Sequence, residues 1–373
     1  MEVAIVGGKL QGTEAVYLAG KAGMKSILID KKEKTPASGI CDEFFLFDVR
    51  KKEKALIDIL KRADFILPAL ENDEVHKALA EIAEEYHLRL AFDMHAYRIT
   101  SSKLKSDKLI RENDISSPCY YPRCKSPYII KPSGESGSTG VQKAATSREV
   151  EAFLKIEGAA GSWVVQEFLE GPSYSIEVIG VPGNYRAYKI TEIHMDEIYD
   201  CKMVTSPCPV AEEQQKHLEE IGCKLAELVK LHGIMDVEVI DDDGVLKVLE
   251  IDARIPSQTP TVVYHASGAN LLSELADITL YGDFKASYTD LGKYCTYEHY
   301  KISKAGYFAS GEHIMSGARP LSLRKNFCGA DEVLSDYDGD HDEWCGTFIN
   351  WADTAEELER KRNHMIQTLK SCR

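Results

Sequence analysis

Five side chains in the second half of the chain are spaced for metal-assisted chemistry. In MDVEVI, Asp236 and Glu238 alternate; in VLKVLEIDAR, Glu250 and Asp252 alternate and Arg254 follows two positions later. Alternate residues of a strand share a face. The two runs are joined by Asp241-Asp242-Asp243-Gly244, a strong hairpin signal. Four carboxylates gathered on one surface repel one another unless a cation neutralises them. Mg²⁺ (with Mn²⁺ as a substitute) suits such a site, because it is usually held by one or two carboxylates together with phosphate oxygens. The competing reading is a solvated acidic face. It is weakened by Ile234, Val237, Val239, Val248 and Ile251, which mark buried strands.

A second constellation precedes this one. In YIIKPSGESGSTGV, an apolar run delivers Lys131 and opens into a loop with Gly134, Gly137, Ser138 and Gly140. Glycines let backbone N–H groups turn onto phosphate oxygens, and a lysine at the strand end meets phosphate as a point charge. A plain surface hairpin would use similar residues. About 25 residues on, VVQEFLEG turns polar at Gln166-Glu167, with Phe168 and Leu169 beyond. In a nucleotide site such a segment offers backbone groups to an adenine edge; alone, it is an ordinary buried strand.

The amino terminus, AIVGGKLQGTEAVYL, imitates a dinucleotide-binding fingerprint, and Asp30 closes the next apolar run. Lys9, however, stands where close approach to a pyrophosphate requires glycine. Lys9, Leu10 and Gln11 instead offer charge, shape and an amide to a small substrate or a phosphate, and Asp30 an acceptor for a ribose hydroxyl or an ammonium. Whether Lys9, Asp30 and Asp48-Val49 hold substrate or a second nucleotide stays open. A dehydrogenase would also need a nicotinamide pocket and a catalytic acid or base, which the sequence does not display.

These residues require a scaffold. Strand-like runs at 4–6, 26–29, DEFFLFDV and ADFILPA alternate with helical runs at 13–22, 55–62 and 75–86, the latter ahead of LRLAF. That order predicts an α/β parallel sheet. From about residue 100 the pattern changes to a helix in SSKLKSDKLIREND, short strands PYIIKP and WVVQEFL around a helix at 148–156, then SYSIEVIG and the acidic hairpin. The last strand and helix are joined at Thr354 and Glu357, which fit a capping box. The 373 residues allow two or three domains, and the net charge of −15 argues against nucleic acid and anionic membranes. No apolar run reaches bilayer length, no secretory leader is expected after Met1-Glu2, and the ten cysteines lack any C-x-x-C pair. A cytoplasmic protein with reduced thiols and no zinc site is the expectation.

Taken in order, lysine, glycine loop, hinge strand and E-x11-E-x-D-x-R resemble the ATP-grasp superfamily of carboxylate–amine ligases. The resemblance implies a Rossmann-like domain over residues 1–97, a small ATP-grasp lobe over 98–174, and a large lobe over 175–373. It also implies roles. Lys103 and Lys131 match the two nucleotide lysines; Glu238, Glu250 and Asp252 fall on the metal ligands, with Asp252 where most relatives carry Asn; Arg254 matches the arginine that steadies an acyl-phosphate. Many relatives read G-x-E after the hinge, whereas Gly171-Pro172-Ser173 stands here, leaving Glu170 or Glu177 as substitutes.

GGKLQG and DARIPSQTP narrow the resemblance to the ligase family of pyrrolysine biosynthesis. That implies ATP, L-lysine and (3R)-3-methyl-D-ornithine or D-ornithine as partners, and often a homodimer. Diamino acids need carboxylates for their ammonium groups, so Glu71 and, beyond the hinge, Ser175 and Glu177 are substrate candidates. Pro256, Ser257, Gln258, Thr259, Pro260 and Thr261 offer hydroxyls and backbone N–H groups to a carboxylate. Another amino-acid ligase, a purine-precursor carboxylase, and, from another class, an NAD-dependent amino-acid dehydrogenase are the alternatives.

Overall fold

The computed structural model describes every residue except 136, 138, 139, 158–161, 286, 372 and 373. The first part is a parallel sheet of β1 (Glu2–Val6), β2 (Lys25–Asp30), β3 (Glu43–Leu46) and β4 (Phe65–Pro68), in the order β3-β2-β1-β4. Its apolar strands are covered on both faces, as parallel strands require. Val3 and Ile5 pack on α1 (Leu10–Lys21), while Ala4 and Val6 pack on α2 (Lys54–Leu60) and α3 (Asp73–Tyr86). LRLAF joins only through a bridge from Leu90 to Ile66.

Helix α1 starts three residues earlier than expected, which puts Leu10 and Gln11 in its first turn. Gly12 explains the fit: a Cβ there would lie 2.0 Å from the Gly7 carbonyl oxygen. The glycines of GGKLQG thus seat a helix tightly on a strand end.

Helices α4 (Met94–Thr100) and α5 (Lys103–Glu112) lead to a small antiparallel sheet, β5 (Tyr128–Pro132), β6 (Gln142–Ala144) and β7 (Trp163–Glu167), with α6 (Ser147–Glu157) packed on it through Val150.

The remaining strands form one antiparallel sheet of 11. They are β8 (Ser173–Val181), β9 (Asn184–Ala187), β10 (Thr191–Met195), β11 (Cys201–Ser206), β12 (Gly233–Asp242), β13 (Val245–Asp252), β14 (Tyr294–Ser303), β15 (Gly306–Ala309), β16 (Ser322–Lys325), β17 (Glu332–Ser335) and β18 (Trp344–Ala352). The order is β13-β12-β8-β10-β11-β14-β18-β17-β16, with β9 on β8 and β15 on β14. Helices α7 (Glu212–Leu228), α8 (Thr259–Ser267) and α9 (Leu271–Tyr281) pack on this sheet. The final helix, Ala355–Ser371, carries one half of the expected capping box: the Glu357 N–H donates to Thr354 Oγ1 at 3.2 Å.

One local feature of the large sheet sets the site. Tyr174, Ile176 and Val178 of β8, Met235, Val237 and Val239 of β12, and Leu246, Val248 and Ile251 of β13 bury themselves with Leu218, Ile221 and Leu225 of α7. Strict alternation would put Glu250 and Asp252 on the same face as Leu246 and Val248. The register instead pairs Glu238 with Glu250 but Val239 with Val248, so Leu249 is an extra, bulged residue. The bulge reverses the parity, turning Ile251 into the core and both carboxylates outward. The hairpin closes through Asp243 and Gly244, at φ 50 and 88, flanked by the Asp242–Val245 pair; positive φ at both central residues is the type I′ requirement.

Among the described residues no helix is long and apolar enough to cross a membrane, and nine cysteines are free.

Candidate active site

The hairpin register sets Asp236 opposite Asp252 and Glu238 opposite Glu250, while β8 sets Ser175 opposite Glu238 and Glu177 opposite Asp236. Crowding buried carboxylates has an electrostatic consequence. Burial raises the Glu238 carboxyl to about 7, with Glu250 as the largest charged contributor. Burial likewise raises Asp252 to about 8 and Asp236 well above its ordinary range, while Arg254 opposes the shift in both. A shared divalent cation would relieve this repulsion. Glu238, Glu250 and Asp252 therefore fit an oxygen-ligated ion.

Three cations face the carboxylates. Lys103, at the start of α5, donates to Glu250 Oε1 at 2.5 Å and to the Glu135 carbonyl at 2.6 Å. Burial would lower its pKa, but Glu250 outweighs that and raises it. Lys131 is 6% exposed and donates to the carbonyl of the bulged Leu249 at 3.3 Å. Burial lowers its pKa, and among the described residues it makes no ion pair. A buried ammonium without a carboxylate partner is a ready acceptor of phosphate charge. Arg254 donates to Glu71 Oε1 at 2.9 Å, Asp236 Oδ1 at 3.3 Å and Asp252 Oδ2 at 3.0 Å.

A cavity of about 390 Å³ lies between the small and large sheets. Lys103, Lys131, Glu238 and Glu250 line it together with Ile129, Ile240, Leu249 and the hinge residues Gln166, Glu167, Phe168 and Leu169. Its size and its apolar walls with a charged end suit a nucleotide. The Glu167 side chain is already engaged, accepting from the Cys119 N–H at 2.8 Å and Lys247 Nζ at 2.9 Å. Gln166 is buried, and its Oε1 has no partner among the described residues. Glu170 also lines this cavity, whereas Glu177 is fully buried on β8.

A second cavity, of about 520 Å³, opens at the C-terminal ends of the parallel strands. It gathers Lys9, Leu10, Gln11, Asp30, Asp48, Val49 and Glu71 with Gly137, Arg254, Ser257 and Glu312. Gln11 Nε2 donates to the same Glu71 oxygen as Arg254, at 2.9 Å. Asp30 spends its oxygens on the N–H groups of Gly8 and Lys32, each at 2.8 Å. Asp48 is clasped by Arg50, whose hydrogen bonds hold the carboxyl down at about 2.

A smaller polar cavity, of about 110 Å³, bridges the other two; Ser175, Asp236, Asp252, Arg254, Pro256, Ser257, Gln258 and Thr259 line it. Pro260 and Thr261 line none of these three cavities. They lie in the first turn of α8, where the Thr261 N–H donates to the buried Glu14 at 2.6 Å. Ser138 falls outside the described residues.

Met195, Tyr199, Asp200 and Glu312 also line the small cavity, without any sequence signal. They come from β10, the turn after it and a loop more than 100 residues later, so no local spacing joins them.

Residues 3–89 match the family described as PylC-like, N-terminal domain, and residues 100–258 match the ATP-grasp domain. The chain is 36% identical to the 3-methyl-D-ornithine–L-lysine ligase of Methanosarcina barkeri over 99% of its own length and 97% of that protein. With the same enzyme of Methanosarcina acetivorans the identity is 37%, at equal coverage. The chain belongs to the 3-methyl-D-ornithine–L-lysine ligase family. It is an ATP-dependent carboxylate–amine ligase of the ATP-grasp superfamily, not a dehydrogenase. The fold of this ligase extends further: the biotin carboxylase domain of Hydrogenobacter thermophilus 2-oxoglutarate carboxylase, solved with MgADP, ADP and bicarbonate, superposes with a TM-score of 0.75 at 14% identity, over 97% of this chain and 89% of the other.

Proposed function

We propose that this ligase joins the carboxylate of (3R)-3-methyl-D-ornithine, or of D-ornithine, to the ε-amine of L-lysine, converting ATP to ADP and phosphate as in pyrrolysine biosynthesis. The observation that carries the reading is the position of Arg254. It stands between the carboxylate hairpin and a polar cavity whose other charged residues are acidic, as two diamino substrates require.

The assigned roles follow from chemistry. A carboxylate does not react with an amine in water, because oxide is too poor a leaving group. Phosphoryl transfer from ATP makes an acyl-phosphate, which the amine attacks with loss of phosphate. Glu238, Glu250 and Asp252 hold Mg²⁺, or Mn²⁺ in its place; when bound, the ion neutralises phosphoryl charge. Lys103 and Lys131 contact the phosphates, and the Gly137 loop covers them. Gln166 to Leu169 receive the adenine, with the Phe168 ring beneath Lys143 Nζ at 3.5 Å. Arg254 steadies the acyl-phosphate, and Glu71, Gln11 and Ser257 orient the amino acids. Deprotonating a lysine amine of pKa about 10.4 at pH 7 costs roughly 4–5 kcal/mol. Alignment of the two reactants, worth about 7–11 kcal/mol in model reactions, offsets that cost.

Phosphate release with lysine and methylornithine, singly and together, tests the proposal. Release only with both, and a product mass equal to their sum less one water, is the expected outcome. Phosphate release that requires bicarbonate instead would replace it with the carboxylase reading.

A further inference from the structure

Glu312 lines both the large N-terminal cavity and the small polar one, beside Arg254 and Ser257. Its Oε2 accepts from Ser257 Oγ and from Gln258 Nε2, each at 2.7 Å. Its Oε1 has no partner, and the residue forms no ion pair, among the described residues. Gln258 is 4% exposed, and its own Oε1 is likewise without a partner among them. The two free oxygens make a corner of acceptors only, which suits a group that only donates.

The corner is firmly built. Gln258 holds a positive φ of 71, a strained conformation for a residue with a Cβ. Glu312 is fixed on both sides: the Gly311 N–H donates to Asp196 Oδ2 at 3.1 Å and the His313 N–H to Asp200 Oδ2 at 3.0 Å. A Cβ at Gly311 would lie 2.1 Å from that same Asp200 oxygen, so only glycine permits the clasp. Asp196, Asp200 and His313 bring ligand atoms within 4.8 Å of one another, yet these N–H donors already occupy the aspartates. The trio acts as a fastener for Glu312.

The chemistry explains the need. Once activated, an ornithine-type acid carries its own nucleophile. Its side-chain amine can attack the acyl carbon, forming a C–N bond, breaking the C–O bond to phosphate and releasing a proton, which closes a six-membered lactam. Well-aligned intramolecular reactions have effective molarities of about 10⁵–10⁸ M, so even a small neutral fraction of that amine would compete with lysine. We propose that Glu312, with the Gln258 amide oxygen, binds the side-chain ammonium of the activated diamino acid and so keeps the acyl-phosphate from closing on itself. This rests on the substrate reading above.

The test uses D-ornithine, L-lysine and Mg·ATP with the wild type and Glu312→Gln, measuring amide, lactam and ADP by mass spectrometry and coupled assay. The variant should raise the KM for D-ornithine by about 10- to 100-fold, the worth of one charge-assisted hydrogen bond. The KM for ATP should stay unchanged, and product should shift from amide to lactam, a partition that a merely structural role would not move. A folded variant with the wild-type KM and no lactam overturns the proposal. A second measurement needs no variant: the wild type should prefer D-ornithine to D-norvaline, which lacks the amine, by at least about tenfold in kcat/KM, and equal values overturn the proposal too. If the wild type makes no amide from ornithine and lysine, the substrate reading itself falls, and this inference with it.

Discussion

Replacing Glu250 with Gln keeps the side chain's shape and removes one charge. Without nucleotide, two effects oppose. Lys103, with 8% of its side chain exposed, loses a partner that is 25% exposed, and a charge-assisted hydrogen bond of this kind contributes about 1.5–3 kcal/mol. Against that, Glu250 is the leading charged neighbour that helps hold Glu238 at about 7, and it also raises Asp252, which sits at about 8. Its removal relieves both. The net change in stability should be near 1 kcal/mol, a shift of about 2 °C in the melting temperature of a chain this size. Turnover has no such compensation: losing one preorganised charge at a transferring phosphoryl group costs about 10²–10³ in rate. ADP release would be followed by a coupled assay with saturating Mg·ATP and both amino acids, beside a thermal melt of the nucleotide-free protein. Near-normal melting with ADP release lowered at least about 100-fold is expected. Wild-type ADP release from a folded Glu250→Gln protein would refute the metal assignment and the phosphate orientation built on it.

Glu71→Ala breaks the bridge from Gln11 to Arg254 and should raise the KM of one amino acid by about tenfold while sparing ATP; unchanged constants for both amino acids remove Glu71 from the site. Deleting Leu249 removes the extra residue and leaves Val248, Glu250, Ile251 and Asp252 in strict alternation, with both carboxylates still on the cavity face; thermal stabilisation by Mg·ATP should therefore persist, and its complete loss in a folded variant contradicts the parity argument. Burial raises the carboxyls of Glu14 and Glu177 from 4.5 to about 7. The folded state therefore keeps protons that the unfolded chain releases above pH 4.5. Their stabilisation is complete below that pH and is lost as pH rises through 7, on the order of 3 kcal/mol for each group. Denaturant melts of the nucleotide-free protein should show stability falling from pH 5 to pH 8, and a rise across that window contradicts the burial of these two groups.

How much was legible in advance follows from the range of each signal. Lys131, the glycine loop, the hinge segment and the acidic hairpin each occupy a few consecutive residues, where period-two alternation and turn chemistry act locally. The chain alone therefore carried the strand pairing across Asp243-Gly244 and the alternation of Asp236 with Glu238. It even held a trace of the bulge, since Val248 and Ile251 are three apart rather than two. Only the folded molecule decided which way that irregularity turned Glu250 and Asp252, because parity is set by the partner strand's register and by α7 beneath it. The same holds for Arg254, whose three carboxylate partners come from β12, β13 and the loop after β4. Glu312 had no local signal at all: a lone acid in a loop gains meaning only when Asp196, Asp200, Ser257 and Gln258 converge on its segment from distant parts of the chain. Sequence specifies what covalent neighbours impose on one another. Groups brought together by burying separate apolar faces are specified by packing.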